Sequence, residues 1–224
     1  MEKTKRSFLP WGMVSTILTL AWPTMLEELM QTAVQYIDTA MVGAIGTQAT
    51  AAVGATSTVN WLIGSTVAAI GVGFLSFVSQ ACGAGDTKRA GKASSQAVLA
   101  VLVCGTFFTV LMLALSSKVP VWMQVDPAIQ DLAAQYFFIL YTPMLARAAI
   151  TIFGTLLRSA GDVKTPMRVG FLVNGVNVVL NFLLIYPTRQ VWGMTVFGAG
   201  WGVIGAAVAS AISSRAARFS RYTS

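Results

Sequence analysis

The sequence predicts an all-α integral membrane protein with six transmembrane helices. Of its 224 residues, 55% are hydrophobic and only 10% are charged, whereas soluble domains carry roughly a quarter charged residues. The charges are also bunched: residues 93–117, 169–188 and 190–214 contain none. Each window can supply the ~20 apolar residues that cross a bilayer. The runs are continuous rather than alternating, which argues against a membrane β-barrel.

The spans fall near 12–37, 50–79, 93–116, 128–153, 168–187 and 198–216, between tails at 1–11 and 217–224. Lys3, Lys5 and Arg6 precede the first apolar run. That run exceeds signal-peptide length and lacks a small-residue cleavage site, so it reads as a helix that stays in the membrane. The charge-free interval 39–85 is too long for one span, and Gly43 to Gly46 supplies the turn that starts the second. Lys118, Pro120, Asp126 and Pro127 mark the connection to the fourth span, where Asp126-Pro127 suits a helix start. Pro23 and Pro143 lie inside spans one and four. Each is a candidate kink, serving either packing or bending. Pro187 to Gly202 is rich in glycine and aromatics and reads as an interfacial loop anchored by Trp192 and Trp201. In the sixth span Gly198, Gly202, Ala206 and Ser210 recur every four residues, as do Gly205, Ala209 and Ser213. Small residues at this interval let helices approach closely; Gly71 and Gly73 suggest the same for the second span.

The basic residues orient the bundle. The amino-terminal tail, Lys88, Arg89, Lys92, Arg158, Lys164, Arg168, Arg215, Arg218 and Arg221 fall on one side, against Lys118 and Arg189 on the other. This bias places both termini in the cytoplasm, and the protein is expected in the cell inner (plasma) membrane. The net charge of +7 is therefore membrane topology rather than a nucleic-acid footprint. No histidine is present, and Cys82 and Cys104 are too few for a disulfide framework. No nucleotide-binding glycine pattern occurs, no catalytic cluster suggests an enzyme, and no organic cofactor is expected. Ala84-Gly85-Asp86-Thr87-Lys88 is echoed by Ala160-Gly161-Asp162-Val163-Lys164, through shared turn chemistry or a three-helix repeat.

The groups that could carry function are polar residues within spans. Glu27, Gln31, Gln35 and Asp38 recur at spacings of four and three, with Glu28 beside them. On a helix they form a polar stripe, and such a stripe must face protein or water rather than lipid. A sheltered carboxylate at Asp38 could exchange a proton or hold Na⁺; the plainer alternative is a polar residue at a helix end. Glu27 and Glu28 could bind a cationic substrate or neutralise Arg147. Asn174, Asn177 and Asn181 share a face of the fifth span, for ion coordination with Asp38 or for interhelical hydrogen bonds. Tyr36 and Tyr141 are candidate cavity walls or interface anchors.

At these residues the chain resembles the multidrug and toxic compound extrusion family. Residues 22–46, WPTMLEELMQTAVQYIDTAMVGAIG, look like that family's first helix and turn. Gly83-Ala84-Gly85-Asp86 with Arg89-Ala90, Leu157 to Asp162 with Thr165-Pro166, Asn177 to Asn181, and Gly198 to Ser210 extend the likeness over about 11–214. The resemblance implies one six-helix lobe of a twelve-helix transporter that exports organic cations by antiport with H⁺ or Na⁺. It implies that Asp38 couples the ion and that Asn177 and Asn181 lie in the same cavity, with possible Na⁺ at these three residues. Many relatives have aspartate where this chain has Asn181, so no carboxylate pair is implied. With six spans, the chain is expected to be a half or truncated product that needs a second six-helix lobe. Rival expectations are a transporter or flippase for another solute, such as a lipid-linked precursor, and a non-transporting membrane fragment or scaffold. A flippase calls for a strongly basic cavity, a scaffold for a first-helix polar face sealed against other helices.

Overall fold

The computed structural model describes residues 11–191 and 194–216. Eight helices and one hairpin follow in order: α1 (Trp11–Gly43), α2 (Thr47–Gly83), α3 (Thr87–Leu115), a single turn α4 (Val119–Trp122), α5 (Gln130–Tyr141), α6 (Met144–Ser159), α7 (Lys164–Ile185), β1 (Pro187–Val191), β2 (Met194–Ala199) and α8 (Gly202–Ala216). The expected tails with their basic residues, and Trp192, lie outside the described residues.

Among the described residues, α2, α3 and α7 are long and apolar enough to cross a membrane, and the bent α5–α6 pair makes a fourth if taken as one span. The expected first and sixth spans correspond to α1 and α8. α8 is apolar but short, and α1 has 33 residues but is diluted by its acidic and amide stripe. Leu18, Trp22, Leu62, Leu99, Phe107 and Val179 are exposed around the outside. In water such a surface would be an aggregation patch; in a bilayer it is the lipid face.

The two prolines behave differently. α5 ends at Tyr141 and α6 begins at Met144, and the two meet at 48° across Pro143, as expected of a residue that cannot donate to the helical ladder. α1 continues through Pro23. There the Thr24 hydroxyl donates to the carbonyls of Leu20 and Ala21 at 3.2 and 2.9 Å, supplying bonds in the turn the ring disturbs.

The echoed Ala-Gly-Asp segments are two copies of one turn. Gly85 and Gly161 take the left-handed conformation (φ 71° and 90°) that ends a helix without a Cβ penalty. Asp86 N–H returns to Ala81 O and Gly85 N–H to Cys82 O; Asp162 N–H returns to Leu157 O and Gly161 N–H to Arg158 O. This is the Schellman closure. The same aspartates then cap the next helix, Asp86 accepting from Arg89 N–H and Asp162 from Lys164 and Thr165 N–H. The echo in sequence is thus an echo in structure.

α6 packs against α2 and α3, α7 against α8 and α1. The largest core joins Val67, Val101, Phe137, Tyr141 and Ile152, with the Phe137 and Tyr141 rings 4.5 Å apart. Small residues set the close approaches. A Cβ on Gly205 would lie 2.5 Å from the backbone oxygen of Leu184, one on Gly105 2.6 Å from Leu145 Cδ1, and one on Gly71 3.0 Å from Thr155 Oγ1. Gly73 faces open space, and Gly198 belongs to β2 rather than to the sixth helix. The expected interfacial loop contains an antiparallel hairpin, pairing Arg189 with Val196 and Val191 with Met194, with an irregularity between Pro187 and Arg189. Trp201 is exposed just beyond its end.

Candidate functional site

The site lies where α1 meets α7 and α8. Asn181 is 1% exposed and its Nδ2 donates to Asp38 Oδ1 at 2.5 Å and to Asn177 Oδ1 at 3.2 Å. Asn177, buried one turn earlier, carries an amide whose nitrogen and oxygen can be exchanged without moving the side chain. In one orientation, its nitrogen donates to Ser210 Oγ at 3.2 Å and Ser213 Oγ at 3.5 Å, leaving its oxygen toward the Asp38 carboxylate. In the other, its nitrogen donates to Asp38 Oδ2 and Oδ1 at 3.2 and 3.3 Å while its oxygen accepts from Ser210. The second is electrostatically matched to a bare carboxylate. Asn181 Oδ1 is buried without a partner, so the cluster has spare acceptor capacity, and an unpaired buried polar atom is costly.

Helical geometry explains which members of the α1 stripe join it. At 100° per residue Gln31 and Gln35 lie roughly 40° and 80° around the helix from Glu27, while the step of three brings Asp38 back to within roughly 20° of it, so Glu27 and Asp38 face α7 and the two glutamines turn away. Glu27 is buried, Asp38 half-buried, and Glu28, Gln31 and Gln35 are exposed. The polar face is thus not sealed within the described residues. Tyr36 is 74% exposed on the opposite side. Asn174, one turn before Asn177, is half-buried with Nδ2 unpartnered.

Glu27 does not neutralise Arg147. It pairs with Arg158, whose Nη2 donates to Glu27 Oε2 at 2.7 Å. Arg158 belongs to the last turn of α6 rather than to the following loop, and so reaches α1. Gly170 makes room for the pair: a Cβ there would sit 3.3 Å from Glu27 Cγ and Oε1.

A second polar group joins α2, α5 and α6. Asn60 Oδ1 accepts from Arg147 Nη2 at 3.2 Å and from Tyr141 OH at 3.4 Å. Tyr136 lies within electrostatic reach of both Arg147 and Asp38. Tyr141 is fully buried and touches this second group rather than Asp38. Asn60, Ser210 and Ser213 escaped sequence reasoning. Asn60 is a lone amide in an apolar run, and the serines occupy positions that also satisfy a small-residue packing pattern.

Comparison with known proteins places these observations in one family. The MatE family profile matches residues 23–183, well over half of the chain. The chain is 27% identical over 198 residues to the probable multidrug resistance protein NorM of Thermotoga maritima, covering 88% of this chain and 41% of that protein. It is 30% identical over 199 residues to the probable multidrug resistance protein NorM of Neisseria meningitidis serogroup B, covering 87% and 42%. A crystal structure of MATE in complex with MaD3S superposes with a TM-score of 0.84 at 27% identity, covering 92% of this chain and 44% of that one. The chain therefore spans about two fifths of the length of the curated relatives it matches, and corresponds to their amino-terminal lobe. Profile, relatives and superposition agree along nearly the whole fold, and the chain belongs to the MatE family of transporters.

Proposed function

We propose that this chain forms the amino-terminal, six-span lobe of a transporter in the plasma membrane, with both termini cytoplasmic, that exports organic cations by antiport with H⁺ or Na⁺. A second six-helix lobe completes the path. The observation that carries this reading is the Asp38–Asn181–Asn177 cluster, a carboxylate held in the lobe by amides with an unpartnered oxygen beside it. Such a group can take a proton on Asp38. It can equally take Na⁺ on Asp38, Asn177 and Asn181, since a hard cation prefers oxygen donors. Among the described residues no cluster of three or more His, Cys, Asp or Glu side chains exists, which favours a monovalent ion over a tightly held divalent metal. The exposed edge of the α1 stripe, Glu28, Gln31 and Gln35, offers acceptors to a cationic substrate. The multidrug names of the relatives support this substrate class.

The test uses the chain reconstituted in lipid nanodiscs with tetraphenylphosphonium as the probe cation. Linkage is reciprocal, so raising Na⁺ or H⁺ should weaken probe binding, and Asp38→Asn should remove that dependence. Binding indifferent to both ions in the wild-type chain would overturn the reading.

A further inference from the structure

α7 presents two faces of different chemistry. One carries Asn177 and Asn181 toward α8 and α1. The other holds a shallow groove of about 460 Å³ lined by Phe171, Leu172, Gly175, Val176, Val179 and Leu180. At 100° per residue Val179 lies roughly 160° from both asparagines, so the groove does not belong to the Asp38 cluster. Gly175 forms its notch. The φ of Gly175 is not positive, and a Cβ there would meet nothing within 4 Å. Neither backbone conformation nor packing within the chain therefore calls for glycine, which is a poor helix former. Leu172 and Val179 beside it are exposed. α7 is long and apolar enough to cross a membrane, so the groove opens on hydrocarbon.

A charged end completes this face. Lys164, Arg168, Gly175 and Val179 follow at intervals of four, seven and four, which confines them to roughly 60° of arc. Lys164 and Arg168 are exposed and, among the described residues, form no ion pair. Asp162 is within electrostatic reach of Arg168, but its carboxylate accepts from the Lys164 and Thr165 N–H groups. The run without charge begins at residue 169, which sets Arg168 at the membrane rim and Lys164 one turn outside it. From Arg168 to Leu180 is about 18 Å along the helix axis, close to the ~15 Å depth of one leaflet. Cationic rim and apolar groove match the two ends of one lipid. We propose that this face of α7 binds one anionic phospholipid, an acyl chain lying over Gly175 and the phosphate held by Lys164 and Arg168. With the orientation proposed above, that lipid belongs to the cytoplasmic leaflet, which carries anionic headgroups.

The experiment is native mass spectrometry of the delipidated chain, titrated with phosphatidylglycerol or phosphatidylcholine of identical acyl chains. Wild type, the double variant Lys164→Gln with Arg168→Gln, and Gly175→Leu are compared. The wild type should retain one phosphatidylglycerol about tenfold more tightly than phosphatidylcholine, the order expected of two basic residues meeting an anionic headgroup. The double variant should bring the two lipids level. Gly175→Leu fills the notch from a position whose Cβ touches nothing in the chain, and should weaken both. Equal wild-type affinities, a preference that survives in the double variant, or binding indifferent to Gly175→Leu overturns the proposal. So does a dimer that Gly175→Leu disperses, since a second copy then occupies the groove. The wild-type comparison of headgroups stands even if a variant fails to fold. Binding in detergent has no sidedness, so an inverted topology or a failure of the export reading is separable from a failure of this site.

Discussion

Arg158 Nη2 donates to Glu27 Oε2 at 2.7 Å across 131 positions of sequence, tying the middle of α1 to the last turn of α6. Glu27 is nearly buried and Arg158 about one quarter exposed. Removing one partner strands the other, and for a pair this sheltered the cost is roughly 2–3 kcal/mol, below the fully buried case because Arg158 retains some solvent. Glu27→Gln and Arg158→Gln should each lower the melting temperature in detergent. The double variant should be less destabilised than the sum of the two singles. Strict additivity would show that the pair contributes no coupling.

Asp38→Asn removes the charge while keeping the shape. In a vesicle assay on the two-lobe transporter, at equal membrane abundance, we expect ion-coupled export to be lost. Probe binding should survive without its dependence on Na⁺ or pH. Unchanged coupled export by this variant would remove Asp38 from the mechanism.

Asp162 caps α7 from outside the spans. Hydrogen bonds from the Thr165 side chain, and then from the backbone of Thr165 and Lys164, hold its carboxyl below the usual carboxylate range. The ionised form is the one the fold stabilises. Its contribution is therefore complete above the ordinary aspartate range and fades as pH falls through the depressed value. Asp162→Ala should cost about 1 kcal/mol at neutral pH, with the gap to wild type closing in acid. A gap that widens on acidification would contradict this assignment.

Two glycines make a controlled pair for packing. Gly205→Ala would drive a Cβ against the Leu184 backbone, which cannot rotate away; overpacking of this kind typically costs about 1–3 kcal/mol. Gly73→Ala meets nothing within 4 Å and should be neutral or stabilising by roughly 0.5–1 kcal/mol, since alanine is the better helix former. Thermal unfolding of the two variants reads the difference directly.

Cys82 reports orientation. It is exposed near the end of α2, close in sequence to Lys88 and Arg89 at the start of α3, whereas Cys104 lies mid-helix in α3. A membrane-impermeant maleimide should label Cys82 in inside-out vesicles and not in intact cells. The reverse pattern would invert the proposed topology.

Much of this fold is legible in the sequence because lipid imposes a simple rule: apolar runs long enough to cross, with charges between them. The turn at Gly43 to Gly46, the start at Asp126-Pro127, where a 3-10 turn (Pro127–Ile129) leads into α5, and the break at Pro143 follow from local chemistry and appear where expected. The hairpin of β1 and β2 does not, because glycine and aromatic residues suit a hairpin and an irregular loop equally. In the site, Asp38, Asn177 and Asn181 were readable as polar residues at helical spacing, and the structure brings them together. Partners across helices were not readable. Nothing in one dimension says that Glu27 meets Arg158 rather than Arg147, or that Asn60 is what Arg147 touches. Those choices depend on how far each helix is rotated about its axis, which spacing within a single helix does not determine.

The double duty of Asp86 and Asp162 has a mechanical side. Each carboxylate begins a helix one residue after a glycine has closed the previous one, so these two elbows contain no slack. An inserted residue would unseat both neighbours at once. α2 with α3, and α6 with α7, are joined as stiff forks, and flexing of the bundle falls instead at the break within the fourth span, where α5 and α6 part.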